Sequence, residues 1–157
     1  MAKPQYRVVR YQPQHAQAWR DLNTAWIMEG GFTLEPKDHL VLNDPQGTIL
    51  DVGGHIFIVE QEGAEPVGCC ALMPMEDGGF ELAKMTVSPQ ARGAGLSRML
   101  MDAAEAAARE AKAPRLYLET NSGLAPALRL YESAGFDYLP KRDTPYARAD
   151  VFMEKRL

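Results

Sequence analysis

Three β-rich runs joined by short turns constrain the fold of this chain more than any other feature of its sequence. The turns, residues 62–63 and 77–78, each end in glycine and have the length of antiparallel hairpin connections. We therefore predict a three-stranded meander formed by residues 56–61, 67–74 and 79–87. Beyond it the pattern changes to the spacing of one long helix, with apolar residues at Leu96, Leu100, Ala103, Ala107 and Ala111.

The rest of the chain alternates between short strands and helices. A strand is predicted at residues 6–11, and the helix that follows it ends at the glycines of residues 30–31. The later elements are a short helix at 36–42, a strand at 116–119, a helix at 126–133 and a final strand at 151–155. Hairpins followed by a strand–helix–strand crossover predict an α/β fold: a mixed, mostly antiparallel central sheet flanked by helices on both faces. Without repeats or linkers, residues 1–157 are predicted to form a single domain.

Charge and composition narrow the choice of partner and compartment. The chain has 17 Lys and Arg against 21 Asp and Glu, a net charge of −4, which argues against a nucleic-acid partner. Residues 1–10 lack the apolar segment of a signal peptide, and residues 67–73 are far fewer than the roughly 20 that a membrane helix needs. Cys69 and Cys70 are adjacent, so on a strand they point to opposite faces and cannot readily form a disulfide. We predict a reduced, cytoplasmic protein with no nucleic-acid or membrane partner.

Residues 90–97 form a glycine-rich turn between the predicted meander and the long helix. Gly93 and Gly95 permit close backbone approach, and the first N–H groups of the helix are free to bind an anion. A helix start without any ligand would show the same pattern. A nucleoside-triphosphate loop is not favoured because Gly-Lys-Ser and Gly-Lys-Thr are absent. A dinucleotide loop stays open: Glu119 lies at about the right distance for a ribose contact, although Arg98 replaces the third glycine.

Two sequence blocks make the interpretation of this turn more specific. Residues 90–100 resemble the coenzyme A pyrophosphate loop of the GNAT superfamily of N-acetyltransferases. They carry a glutamine and two glycines at the spacing of that loop. Ser97 departs from that pattern, since many relatives have a further glycine there. A second block resembles the family's "N…A..LYE..GF" pattern and consists of Asn121, Ala127, Leu130, Tyr131, Glu132, Gly135 and Phe136. The resemblance implies a GNAT-like sheet that splays between the strand before the loop and the strand at Leu116.

The same resemblance implies acetyl-CoA as the co-substrate and assigns residues to it. Backbone groups of Met85 and Val87 are expected to hold the pantetheine arm. The pyrophosphate is expected to bind main-chain N–H groups of the loop residues Arg92, Gly93, Ala94, Gly95, Leu96 and Ser97. The far wall, near the thioester, is expected to consist of Asn121, Ala127 and Tyr131.

Acetyl transfer to an amine needs a neutral amine and a proton donor for the departing thiolate. A lysine-like amine has a reference pKa of about 10.4, so deprotonating it at neutral pH costs about 4 kcal/mol and a base is useful. Tyr131 matches the family's general acid, and a phenol stays protonated at neutral pH. Glu81 is the candidate base; a structural ion pair with Lys84 is the alternative for it, and His55 is the weaker candidate. We expect direct attack without an acyl-enzyme, so neither cysteine serves as a nucleophile.

Residues 29–51 are expected to form the acceptor side. They carry five acids and one lysine, which would attract a cationic amine, and Glu35 is the predicted acceptor contact. Trp26 and Phe32 fit either this site or the core, and the loop around Tyr146 could close over the acceptor. No metal site is predicted, because no cluster of ligating residues has metal spacing. The predicted function is acetyl transfer from acetyl-CoA to a primary amine of a small molecule or peptide; a non-catalytic acyl-CoA sensor is the alternative, and a homodimer stays open.

Overall fold

A computed structural model describes residues 5–157 of the chain. Residues 1–4, which begin the segment considered above for a signal peptide, lie outside the described residues. The strands are β1 (Tyr6–Arg10), β2 (His55–Gln61), β3 (Ala64–Pro74), β4 (Phe80–Val87), β5 (Arg115–Thr120), β6 (Asp137–Leu139) and β7 (Val151–Arg156). The helices are α1 (Ala16–Glu29), α2 (Pro36–Asn43), α3 (Leu96–Glu110) and α4 (Ala125–Ser133).

The seven strands form one sheet in the order β1-β2-β3-β4-β5-β7-β6. All neighbouring strands are antiparallel except β4 and β5, which run parallel. The predicted meander is confirmed as β2, β3 and β4, because the turns between them reverse the chain at glycines with positive φ, 73° at Gly63 and 87° at Gly78. The mixed, mostly antiparallel sheet is therefore confirmed.

Helices cover both faces of this sheet and define two cores. On one face α3 and α4 pack against the sheet. The contacts of α3 come from a stripe of small and aliphatic residues: Leu96, Leu100, Ala104, Ala107 and Ala108. On the other face Trp19 of α1 and Val41 of α2 pack against Ile58 and Ala71 of the sheet. The stripe on α3 differs from the predicted one at its end, because the helix stops at Glu110 and leaves Ala111 exposed.

The structure adds two features to the prediction. β6 has only three residues, of which two are exposed, and such a segment is too short to show the alternation that marks a strand. The register between β3 and β4 advances from Cys69 opposite Thr86 to Ala71 opposite Ala83, so β4 contains one extra residue. Lys84 lies in this bulge with φ of 58°, a conformation that is uncommon for residues other than glycine.

A buried ionic cluster joins α2, the β4 bulge and the loop of residues 140–150. The fully buried Asp38 carboxylate accepts hydrogen bonds from Lys84 Nζ at 2.5 Å and from Arg148 Nη1 and Nη2 at 2.7 and 2.8 Å. Burial alone would raise the pKa of Asp38, but the hydrogen bonds from Arg148 and Lys84 hold it well below its usual range. The cluster therefore connects segments that are far apart in sequence on one side of the sheet.

None of the helices in residues 5–157 combines the length and the apolar composition that crossing a membrane requires.

Replacing Asp38 with Asn is expected to destabilise the protein strongly, because it leaves the buried Lys84 ammonium without a counter-charge and removes one of the two carboxylates that pair with Arg148. We expect the free energy of unfolding to fall by about 3 to 5 kcal/mol in urea denaturation at pH 7. The matched control is Asp102→Asn on the exposed face of α3, which breaks the pair with Arg98 at 3.7 Å. Similar unfolding curves for the two variants would contradict the structural importance of the cluster.

Candidate active site

The central sheet opens between β4 and β5. The two parallel strands pair only at Phe80 with Leu116 and at Glu81 with Tyr117, and then diverge. The second half of β4, including Met85 and Val87, therefore has no strand partner on its β5 side and faces a cavity. Backbone groups on this edge are available to a ligand, and the binding of a pantetheine arm by them stays a prediction.

A cavity of about 660 Å³ extends from this opening to the start of α3. Gly93 and Gly95 line it with φ of 86° and 76°, so only glycine adopts the loop conformation without strain. No side chain caps the N-terminus of α3, which leaves its first N–H groups free for a ligand. The structure therefore brings together the glycines, Leu96 and Ser97 at a helix end whose N–H groups are free, an arrangement that suits an anion.

Arg92 lines the same cavity but is already bound within the protein. Its guanidinium forms a bidentate ion pair with the Glu29 carboxylate, with N–O distances of 3.0 and 3.1 Å. Its Nε donates to the Val87 carbonyl at 3.3 Å. Arg92 thus fastens the glycine loop to the end of α1 and to the end of β4. Neither contact was apparent from the sequence, since Glu29 and Arg92 are distant and show no shared pattern.

A second cavity of about 100 Å³ lies on the other side of the opening. Glu81, Lys84, Glu119, Tyr146 and Arg148 supply its polar wall. The two cavities share a set of bordering residues, Trp26, Met85, Leu124, Ala127 and Tyr131. Two ligands bound one in each cavity would therefore meet beside these residues.

Tyr131 borders both cavities from α4. Its ring packs against Phe136 with centroids 5.8 Å apart, and its hydroxyl forms no hydrogen bond within residues 5–157. Burial raises the pKa of Tyr131 to about 12, with a further contribution from Cys70. The phenol is therefore neutral at physiological pH and free to donate to a ligand.

Glu81 lines the smaller cavity and has neither an ion pair nor a side-chain hydrogen bond within the described residues. Burial, followed by the charge of Glu119, raises the pKa of Glu81 to about 7, against the attraction of Lys37 and Lys84. The alternative of a structural pair with Lys84 is not formed, because Lys84 binds Asp38. A carboxyl group with this pKa can exchange protons near neutral pH.

His55 lies away from both cavities. It begins β2, and its Nδ1 is 2.8 Å from Arg10 Nη1 near the surface of the sheet. Burial and the charge of Arg10 lower its pKa. Its position gives no support to a role as the base.

Glu35 lies outside the lining of both cavities. It caps α2, accepts the Ala147 N–H at 2.8 Å and pairs with Arg148 at 3.2 Å. Its carboxylate therefore holds the loop of residues 140–150 and does not line the smaller cavity, so its predicted contact with an acceptor gains no support. The acids that do line this cavity lie on β4 and β5.

Asn121 lines the smaller cavity, and its side chain is occupied by protein contacts. Its Nδ2 donates to the Arg148 carbonyl at 2.6 Å, and its Oδ1 accepts the Gly123 N–H at 2.8 Å. Arg148 itself was missed by the sequence analysis, because it lies in an irregular loop without a motif. Trp26 and Phe32 both line the smaller cavity, whereas the sequence allowed either a site or a core position for them.

Neither cysteine lines a cavity. Both are free and fully buried, and burial raises the pKa of Cys69 to about 12 and that of Cys70 well above its usual value. Within residues 5–157 no group of three or more His, Cys, Asp and Glu side chains is arranged to hold a metal ion. The polar side chains that line the smaller cavity include two phenols, two carboxyl groups and two cations: Tyr131, Tyr146, Glu81, Glu119, Lys84 and Arg148.

Residues 16–136 match the protein-family model described as "Acetyltransferase (GNAT) family". The chain belongs to this family. The resemblance of residues 90–100 and 121–136 to GNAT sequences is thereby confirmed, and acyl transfer is the activity of that family. GNAT enzymes use acetyl-CoA as co-substrate and act on small-molecule or peptide acceptors, so the match favours the coenzyme A interpretation of the glycine loop over the dinucleotide one.

Relatives of this GNAT chain carry acetyltransferase names. It is 41% identical over 90 residues to "Uncharacterized N-acetyltransferase YjgM" of Escherichia coli (strain K12), a match covering 55% of this chain and 53% of the relative. It is 35% identical over 106 residues to the IAA acetyltransferase of Azospirillum brasilense, covering 64% of this chain and 67% of that protein. The chain thus spans about half the length of the first relative and two thirds of the second.

A solved structure shows the same GNAT fold. The crystal structure of a GNAT-family acetyltransferase from Staphylococcus aureus Mu50 superposes with a TM-score of 0.88, covering 97% of this chain and 99% of that chain. The two sequences are 18% identical, so the likeness concerns the fold. The seven-stranded sheet and its covering helices are therefore those of the family.

Replacing Glu81 with Gln is expected to stabilise the protein above neutral pH. The pKa of Glu81 is about 7 in the folded chain, whereas a glutamate in an unfolded chain has a pKa of about 4.3. The contribution of Glu81 to the free energy of unfolding is therefore fully present below the pKa of the unfolded chain. It is lost as the pH rises through the folded pKa of about 7. We expect Glu81→Gln to recover about 2 to 3 kcal/mol at pH 8, and little at pH 4, in urea denaturation.

The matched control for this measurement is Glu76→Gln, which changes an exposed glutamate in the turn before β4. Its difference from the unmodified chain should be the same at both pH values. A Glu81→Gln variant that behaves in the same way would show that this carboxyl group titrates normally.

Proposed function

We propose that this chain, acting as a single domain of residues 1–157, transfers an acetyl group from acetyl-CoA to a primary amine of a small molecule or peptide. The observation that carries the proposal is the meeting of two cavities at Tyr131. One cavity has the anion-binding loop of residues 92–97, and the other has an unpaired carboxyl group with a pKa near neutrality. We further propose a cytoplasmic location, in keeping with two free cysteines.

The larger cavity has the features that a nucleotide-linked thioester requires. Free N–H groups at the start of α3 suit a diphosphate, and Gly93 and Gly95, both with positive φ, let the backbone of the loop approach it closely. The unpaired edge of β4 at Met85 and Val87 suits the amide groups of a pantetheine arm. When bound, acetyl-CoA supplies the activated acetyl group and a thiolate leaving group.

Glu81 is the base of the proposed reaction. An incoming ammonium gives one proton to the Glu81 carboxylate, so the nitrogen keeps an electron pair for attack on the acyl carbon. The pKa of Glu81 near 7 narrows the gap to an amine of about 10.4 to roughly three units, whereas an ordinary glutamate leaves about six. Burial of Glu81 therefore lowers the cost of making a neutral nucleophile.

Tyr131 is the proposed acid, and its hydroxyl assists the departing sulfur. Complete proton transfer from a phenol with a pKa of about 12 to a thiolate of about 8.5 is uphill by roughly 5 kcal/mol. The main effect of Tyr131 is then a hydrogen bond to sulfur while negative charge develops there. Such a bond to a charged group contributes about 1.5 to 3 kcal/mol.

Replacing Gly93 with Val is expected to abolish acetyl-CoA binding. A β-branched residue cannot readily adopt φ of 86° and would add a side chain at the anion-binding loop. Isothermal titration calorimetry measures the affinity. Gly63→Val is the matched control, since Gly63 has φ of 73° in the β2–β3 turn, so it suffers similar strain but should bind acetyl-CoA normally. Retained binding by Gly93→Val would place the donor elsewhere.

Acetyl-CoA-dependent thiol release across a panel of polyamines, aminoglycosides, amino acids and peptides tests the activity. We expect saturable release with at least one amine, and Tyr131→Phe should lower kcat roughly 10- to 100-fold without weakening acetyl-CoA binding. Tyr138→Phe, on the exposed strand β6, should keep full activity. Binding without release by any amine would favour the acyl-CoA sensor, and a fully active Tyr131→Phe would remove the role of the phenol.

A further inference from the structure

Glu119 lies at the opening of the sheet on the same face as Glu81. Glu81 pairs with Tyr117 at the last position where β4 and β5 are joined. Because side chains alternate along a strand, Glu119 points to the same face as Tyr117, two residues before it. Both carboxylates line the smaller cavity. They therefore face the same ligand space from two diverging strands.

Glu119 is oriented by hydroxyl groups. The Tyr117 hydroxyl donates to its Oε2 at 2.8 Å, and the Thr144 hydroxyl donates to its Oε1. Within residues 5–157 neither Glu119 nor Glu81 forms an ion pair. The cavity thus contains two carboxylates where the proposed deprotonation requires one.

The cations around the smaller cavity contact other groups. Lys84 and Arg148 both bind the buried Asp38 carboxylate. Lys37 on α2 lies over the Tyr146 ring at 5.4 Å, and Arg142 lies over the Tyr117 ring at 5.6 Å. Of these cations, Lys37 and Lys84 lower the pKa of Glu81 in opposition to burial.

The remaining titratable groups around Glu81 are three phenols. Burial raises the pKa of Tyr117 from β5, of Tyr131 from α4 and of Tyr146 from the loop of residues 140–150, so all three are neutral at physiological pH. Glu119 therefore shares the smaller cavity with Glu81, and within the described part of the chain it has no ion-pair partner to offset its charge.

We propose that Glu119 is a positioning residue of the transfer reaction, whose negative charge on the neighbouring strand keeps Glu81 able to take a proton from the acceptor amine at neutral pH. This proposal rests on the proposed function. In the step concerned, an N–H bond of the ammonium breaks, an O–H bond forms on Glu81, and the electron pair stays on nitrogen. The charge on Glu119 favours the neutral, protonated form of Glu81 and so lowers the cost of this step.

The test is a titration of the Glu81 carboxyl by carbon-13 NMR, assigned by the loss of its resonance in Glu81→Gln. Glu119→Gln removes the neighbouring charge and favours the charged form of Glu81, so its midpoint should fall by roughly one pH unit. The low-pH limb of kcat/KM should move by the same amount, and its plateau should fall about threefold because the base is weaker. Acetyl-CoA affinity should stay the same.

Two matched variants separate charge from packing. Glu119→Asp keeps the charge and should restore the midpoint, whereas Thr144→Val removes one hydroxyl contact and should leave the midpoint where it is. An unmoved midpoint in Glu119→Gln, or an equal fall in Thr144→Val, overturns the proposal. Because the NMR titration needs no turnover, failure of every amine to react counts against the proposed function, and an unmoved midpoint with intact turnover counts against Glu119 alone.

Discussion

The parallel contact between β4 and β5 is the constraint on which the rest of the site depends. Two strands that pair at only two positions and then separate leave one backbone edge without a partner in the middle of the sheet. Unpaired backbone groups in a protein interior are costly unless water or a ligand satisfies them. The opening persists because α3 and α4 pack on one face against strands on both sides of it, whereas α1 and α2 cover β2 and β3 on the other face.

Two acids beside this opening, Asp38 and Glu81, are desolvated by burial and differ in their ion pairs. Asp38 is buried with two cations, which compensate the loss of hydration, and it connects α2 to the β4 bulge and to the loop of residues 140–150. Glu81 is largely buried without an ion pair in residues 5–157, and the attraction of Lys37 and Lys84 does not offset the effect of burial on its pKa. An acid held in ion pairs, Asp38, and an acid without an ion pair, Glu81, thus lie on the same side of the sheet, and their pKa values are shifted in opposite directions.

Local sequence signals predicted the elements and the glycine loop, whereas contacts between distant residues could not be predicted. Gly63, Gly93 and Gly95 carry information because the conformations they adopt are costly for other residues. The pairing of Asp38 with Arg148 has no such local signal, since 110 residues separate them. Glu35 illustrates the limit: the acidic composition of its segment suggested an acceptor contact, but its position at the start of α2 directs it to Ala147 and Arg148.

Trp26 is shared by both cavities, and its indole is fixed from within the core. Its Nε1 donates to Asn23 Oδ1 at 3.0 Å, and the fully buried Asn23 in turn donates to the Trp19 carbonyl at 2.9 Å. The hydrogen bond to Asn23 restrains the indole from turning away from the boundary between the two cavities. The boundary that the two cavities share at Trp26 is therefore anchored in the core beneath α1, so a change at the buried Asn23 would reach both cavities through one side chain.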